Sequence, residues 1–387
     1  MSIPVIVSTV LLASGCVLGA APRCKEVAFK VSGTAMNRNI TGLDFGNVDT
    51  LHAAFAADDF PRIPVSGSQV IAGWYCEPAC ENTNNTKLQF FLGGITTNRE
   101  YWTAQGGTSL VDPPNPPYDP ALYSWVDYAN NLGYPTLALD HLGTGRSSRP
   151  DPILVTQQPY EMALYHDLVT QIKAGTTGQL PRAYADLTYI GQSYGSVLGN
   201  AMAGAYPTDF THVILTGFTK TVLPSLGGVA RQAPLAAATV MPARFAGLAP
   251  GYVTSSVEQA RTDSFFGSHQ SVDFDSQVAH LFYTREDVVS LGQFVSTYLN
   301  IGASPQYTGR VLVITGEQDQ AFCGLGSSAI DPNPHCGTLL ASTGSLYPNA
   351  DYNYQSVPRT GHSSLLHLTA QTTLKVSHQF LAGRKFP

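Results

Sequence analysis

Short apolar runs of strand length alternate along this chain with longer stretches whose apolar positions recur every three or four residues. Lys87–Leu92, Pro135–Asp140, Leu187–Ile190, His212–Thr216 and Arg310–Thr315 are near-continuous runs of the first kind, preceded by Val70–Tyr75. Pro120 to Leu132 sets Leu122, Trp125, Val126 and Ala129 on one helical face. Tyr160 to Lys173 does the same with Met162, Leu164, Tyr165, Leu168, Val169 and Ile172, and Ser363 to Ala382 predicts a closing helix. A strand that is apolar throughout needs cover on both faces. The pattern therefore predicts an α/β fold, a mostly parallel twisted sheet flanked by helices.

One interval breaks the rhythm. Between the strands ending at Thr216 and beginning at Arg310, Pro224 to Ile301 reads as helical and is rich in Ala, Phe and Tyr. It predicts a helical cap, residues 220–305, inserted after the sixth core strand and lying over the sheet edge where open α/β sheets bind ligands. The core then comes in two parts, 20–219 and 306–387.

Composition narrows the class. Of 387 residues 43% are hydrophobic, only 12% are Asp, Glu, Lys or Arg, and the net charge is −6. With no basic run, nucleic acid is not an expected partner. Ile3 to Val17 is apolar, and Val17-Leu18-Gly19 before Ala20 suits signal cleavage, so residues 1–19 read as a signal peptide of a secreted protein, with no stable membrane span once it is removed. Of six cysteines (Cys16, Cys24, Cys76, Cys80, Cys323 and Cys336), removal of the signal leaves five, and in a secreted protein these favour disulfides over metal ligation. Cys323 is expected to pair with Cys336. Cys76–Cys80 is the favoured second pair, with Cys24 as an alternative partner for either. Asn39-Ile40-Thr41 and Asn84-Asn85-Thr86 are glycosylation sequons.

The chemistry begins at Gly191-Gln192-Ser193-Tyr194-Gly195, which follows the Leu187–Ile190 strand and leads into the small-residue helix Ser196–Ala203. A G-x-S-x-G between strand and helix is a nucleophile elbow. Gly191 and Gly195 clear space where strand and helix crowd the turn, and Ser193 is forced into a strained conformation with its hydroxyl exposed. A serine hydroxyl needs a base to take its proton, and the base needs an orienting acid. The chain order expected is serine, acid, histidine. Asp319 follows the Arg310–Thr315 strand, with Glu317 its competitor, and His362 stands on a loop before the closing helix. His367 and His378 read as helix-surface residues. An oxyanion hole needs two backbone N–H groups; Tyr194, after the nucleophile, and Ile95, after Gly93-Gly94, are the candidates.

These motifs together resemble the α/β-hydrolase fold superfamily. Leu92 to Trp102 is similar to the oxyanion loop of its secreted fungal members, which carry His-Gly where this chain has Gly93-Gly94. Asp140-His141-Leu142-Gly143-Thr144-Gly145-Arg146-Ser147 resembles the family's Asp-Arg-x-Gly-x-Gly-x-Ser turn, with His141 in the Arg position. The resemblance implies a serine hydrolase that needs neither metal nor organic cofactor and takes a small-molecule ester or lactone as substrate. The aromatic cap (Phe245, Phe265, Phe266, Phe282, Tyr283) points to apolar substrates. Three alternatives stay open: a peptidase or amidase with the same triad, a non-hydrolytic lyase or cyclase of a biosynthetic pathway, and a ligand-binding protein on a hydrolase scaffold.

Overall fold

The structure is a computed structural model, and it describes residues 23–78, 82–106, 118–222, 225–324 and 336–387. Residues 1–19, expected to be a signal peptide, and Cys16 and Cys80 lie outside the described residues.

An eight-stranded sheet, in the order β1-β2-β4-β3-β5-β6-β10-β11, is the frame. β3 (Lys87–Leu92), β4 (Thr136–Leu139), β5 (Asp186–Gln192), β6 (His212–Thr216), β10 (Arg310–Gly316) and β11 (Asp351–Val357) run parallel. β1 (Arg23–Arg38) and β2 (Arg62–Glu77) form a long antiparallel ribbon at one edge. The helices α1 (Val48–Ala57), α2 (Trp125–Asn131), α3 (Gln158–Ala174) and α4 (Tyr194–Ala205) belong to the first part of the chain.

Successive strand residues enter opposite layers, which is why the central strands are apolar throughout. Phe90, Leu187, Tyr189 and Val213 join Leu164, Tyr165 and Leu168 of α3 and Val197 of α4 on one side. Phe91, Ile190, Ile214 and Ile314 join Trp125 of α2 and Leu374 and Phe380 of the closing helix on the other. That helix is shorter than the sequence reading: a 3₁₀ turn, Ser364–Leu366, precedes the α-helix Ala370–Leu381.

The ribbon departs from the sequence reading. β1 was not foreseen, and β2 starts well before Val70. In β1, Val27, Phe29 and Val31 are buried while Glu26, Ala28 and Lys30 are exposed, the alternation of a strand with one covered face. The ribbon's register also corrects a disulfide. Cys24 lies directly opposite Cys76, and these two are bonded, so Cys76 does not pair with Cys80. A cross-strand neighbour is held in place by the ladder itself, whereas sequence proximity says nothing of register. Cys323 is bonded to Cys336.

The segment between β6 and β10 is not purely helical. It holds the helices Ser225–Arg231, Glu258–Phe265, Ser276–Thr284 and Leu291–Leu299, but also a three-stranded antiparallel sheet of β7 (Leu235–Ala236), β8 (Tyr252–Thr254) and β9 (Val289–Ser290). Pairings of two residues are too short to leave a period in the sequence. The segment is tied to the core: Asp287 accepts from Asn98 Nδ2 and the Gly145 N–H, both at 3.0 Å, and the Asp287 N–H donates to the Thr96 carbonyl at 2.9 Å. Among the described residues no helix is long and apolar enough to cross a membrane.

Candidate active site

Ser193 stands between β5 and α4 with φ 55° and ψ −116°, a conformation costly for any residue with a side chain. The surroundings enforce it. The Ser193 N–H donates to the Thr216 carbonyl at 3.0 Å, and the Gly195 N–H to the Gly93 carbonyl at 2.9 Å. A Cβ on Gly191 would come within 2.6 Å of the Gly195 carbonyl oxygen, and one on Gly195 would collide with the Leu92 carbonyl. Both positions require glycine by close approach. The Ser193 hydroxyl takes no hydrogen-bond partner among the described residues.

Parallel strands bring the acid and the histidine to the same edge. Asp319 follows β10 and His362 follows β11, the strand beside it. Asp319 Oδ2 lies 2.9 Å from His362 Nδ1. Its other oxygen accepts from the N–H groups of Ala321 and Phe322, at 2.9 and 3.0 Å. The carboxylate can only accept, which assigns the proton to Nδ1 and leaves Nε2 as the basic nitrogen. Both side chains are buried. Phe322 stacks on the imidazole at 5.5 Å between ring centroids, and Phe265 flanks it at 5.6 Å. Glu317 is only half-buried and its backbone N–H bonds the Val357 carbonyl.

Tyr194 opens α4, so its N–H is one of those without an acceptor inside the helix. Gly94 packs against the elbow: a Cβ there would meet Ser193 Cβ at 3.0 Å. Ile95 follows it.

The sequence profile of the alpha/beta hydrolase family matches residues 89–374. The chain belongs to this family. No curated protein matches it by sequence. In structure it is similar to Rv0554 from Mycobacterium tuberculosis, at 14% identity and a TM-score of 0.51, over 82% of this chain and 95% of that one. It is likewise similar to the enol-lactonase from Burkholderia xenovorans LB400, at 15% identity and a TM-score of 0.50, over 81% and 97% of the two chains. At such identities the likeness is one of fold.

Several groups around this alpha/beta hydrolase's candidate site escaped the sequence reading. Gln192, fully buried, places its side-chain amide nitrogen 3.4 Å from His362 Nε2. His367 is not on a helix surface. It is buried, takes the Gly361 N–H on Nε2 at 3.0 Å, and donates from Nδ1 to the Ser363 carbonyl at 2.9 Å, so it braces the loop that carries His362. Burial pulls its pKa down, which keeps it neutral for this role. His378 is buried as well, among Trp125, Tyr128 and Tyr134. His378 lies on the covered face of the closing helix, and His367 on the loop before it, where it bridges to Phe274; both burials depend on neighbours distant in sequence.

The segment between β6 and β10 meets the site through Arg261. Its guanidinium, fully buried, donates to Thr96 Oγ1 at 2.8 Å, pairs with Glu286 at 3.1 Å and lies over the rings of Phe265 and Phe282. Of that segment's aromatics, Phe265 reaches His362, whereas Phe245 packs with Tyr252 and Val288 within the segment. Among the described residues no cluster of His, Cys, Asp and Glu is placed to hold a metal ion.

Proposed function

We propose that this alpha/beta hydrolase is a secreted serine esterase that cleaves carboxylic esters or lactones of apolar small molecules through an acyl-enzyme. The observation that carries the reading is the strained Ser193 elbow at the sheet edge where Asp319 and His362 are hydrogen-bonded. Ser193 Oγ attacks the substrate carbonyl while His362 Nε2 takes its proton. The N–H groups of Ile95 and Tyr194 receive the negative oxygen. His362, now an imidazolium held by Asp319, gives the proton to the leaving alcohol, and the ester's C–O bond breaks. Water then repeats the cycle, losing its proton to His362 and releasing the acid.

The apolar preference rests on the ring faces of Phe265 and Phe322 against His362. Secretion is supported by two disulfides, Cys24–Cys76 and Cys323–Cys336, which persist in oxidising compartments. Of the two sequons, Asn84 commits its side-chain amide nitrogen to the Leu132 carbonyl at 3.0 Å, whereas Asn39 uses its carbonyl oxygen, bonded to the Thr41 N–H, so Asn39 is the site we favour for a glycan.

The test is hydrolysis of p-nitrophenyl esters of increasing acyl length by wild type and Ser193→Ala. Activity that vanishes in the variant is the expected result, and the length profile sizes the acyl site. Folded wild type that is inert to the whole series, or a variant as active as wild type, overturns the reading.

A further inference from the structure

We propose that His141 and Glu161 are positioning residues for the oxyanion hole, the turn after β4 supplying the imidazole that the oxyanion loop lacks. The proposal rests on the serine-hydrolase reading above.

The need for such an anchor follows from the sequence. Two successive glycines precede Ile95, and glycine peptides rotate with little steric resistance. For the Ile95 N–H to be a fixed donor, both peptide planes ahead of it must be held from outside. The Gly94 carbonyl is held by Thr97, whose hydroxyl donates at 2.9 Å. The Gly93 carbonyl is held by the Gly195 N–H of the elbow and by His141 Nε2, 2.8 Å away. A carbonyl can only accept, so His141 carries a proton on Nε2.

Behind His141 stands Glu161 of α3, entirely buried. Its Oε1 lies 3.3 Å from His141 Nδ1 and accepts from the Leu142 N–H at 3.1 Å and the Tyr165 hydroxyl at 3.4 Å. Its Oε2 accepts from the hydroxyl of Tyr194. Burial and the charge of Glu161 push the phenols of Tyr194 and Tyr165 well above their ordinary range, so both remain donors. Tyr194 is also the residue whose N–H is the second oxyanion donor. One carboxylate therefore fixes the Tyr194 side chain directly and stands behind the imidazole that holds the Gly93 carbonyl. Preorganised donors stabilise a developing charge because they need not turn toward it during the reaction.

The test compares His141→Gln with His141→Asn. A glutamine carries its amide nitrogen about where Nε2 lies and can still reach the Gly93 carbonyl. An asparagine carries its own about where Nδ1 lies, keeps the Glu161 side and loses Gly93. kcat and KM are measured separately on the best p-nitrophenyl ester, with thermal unfolding of each variant, and the affinity of a trifluoromethyl ketone that forms a tetrahedral adduct is measured alongside. The asparagine variant should lose kcat by on the order of ten- to a hundredfold, less than the 10²–10³ for deleting a donor itself, with little change in KM. Its ketone affinity should fall in parallel, and the glutamine variant should retain most of both. Equal kcat in the two variants, at any level, overturns the proposal. So does an asparagine variant that fails to fold while the glutamine variant folds, since the role would then be one of stability. Wild type inert to both ester and ketone overturns the serine-hydrolase reading, and this proposal with it.

Discussion

His362 Nδ1 lies 2.9 Å from Asp319 Oδ2, and both groups are shielded from bulk water by Phe322 and Phe265. The carboxylate holds the imidazole in the tautomer whose Nε2 faces the elbow, and in the proposed mechanism it would stabilise the imidazolium formed when Ser193 loses its proton. Asp319→Asn keeps the shape but presents an amide, which can impose the wrong tautomer. It should lower kcat by about 10³- to 10⁴-fold with a small change in KM. Steady-state kinetics on one ester decide it: a loss under tenfold would remove Asp319 from the mechanism.

His378 makes stability depend on pH. Burial pulls its pKa down to about 4, whereas in the unfolded chain it has the ordinary value of about 6.5. As pH falls the unfolded state binds the proton first. The stabilisation is therefore whole above about pH 6.5 and is lost progressively toward about pH 4, on the order of 3 kcal/mol in all. His367, lowered in the same direction, adds to the loss. Thermal midpoints measured from pH 7 to 4.5 should fall for wild type and fall less steeply for His378→Gln. Parallel curves would show that His378 is not buried in its neutral form.

The two disulfides should separate stability from activity. Cys24–Cys76 spans 52 residues and sits where β2 faces Thr136, the start of β4 and thus the end of the sheet away from Ser193. Cys323–Cys336 spans 13 residues and begins at the helix Gln320–Cys323, which Asp319 caps. Loop-closure entropy gives the first about 4 kcal/mol and the second about 3 kcal/mol. Replacing Cys24 and Cys76 by serine should lower the unfolding midpoint and leave kcat within about twofold. Replacing Cys323 and Cys336 should lower both. Equal loss of kcat in the two double variants would contradict this division.

Residues with purely local requirements were legible in the sequence. The G-x-S-x-G turn needs its glycines wherever it occurs, and strands covered on both faces announce themselves as apolar runs, so β3 to β6 and β10 were placed closely. What depends on a distant partner was not. Val27, Phe29 and Val31 alternate with polar or exposed positions over too short a run to declare β1, and Cys24 meets Cys76 only because that strand pairs with β2. The strands between β6 and β10 are two or three residues long. His141 looked like a replacement in a structural turn, and its contact with the Gly93 carbonyl, 48 residues away, exists only in the folded sheet.

The central claim, that Ser193 is the nucleophile of an acyl-transfer site, is tested most directly by trapping. Folded wild type is treated with a fluorophosphonate, and the adduct is located by intact-mass and peptide mass spectrometry. A single adduct on Ser193, absent from Ser193→Ala and slowed in His362→Ala, is the predicted result. Folded wild type that takes no adduct, or a Ser193→Ala variant labelled as readily, would contradict it.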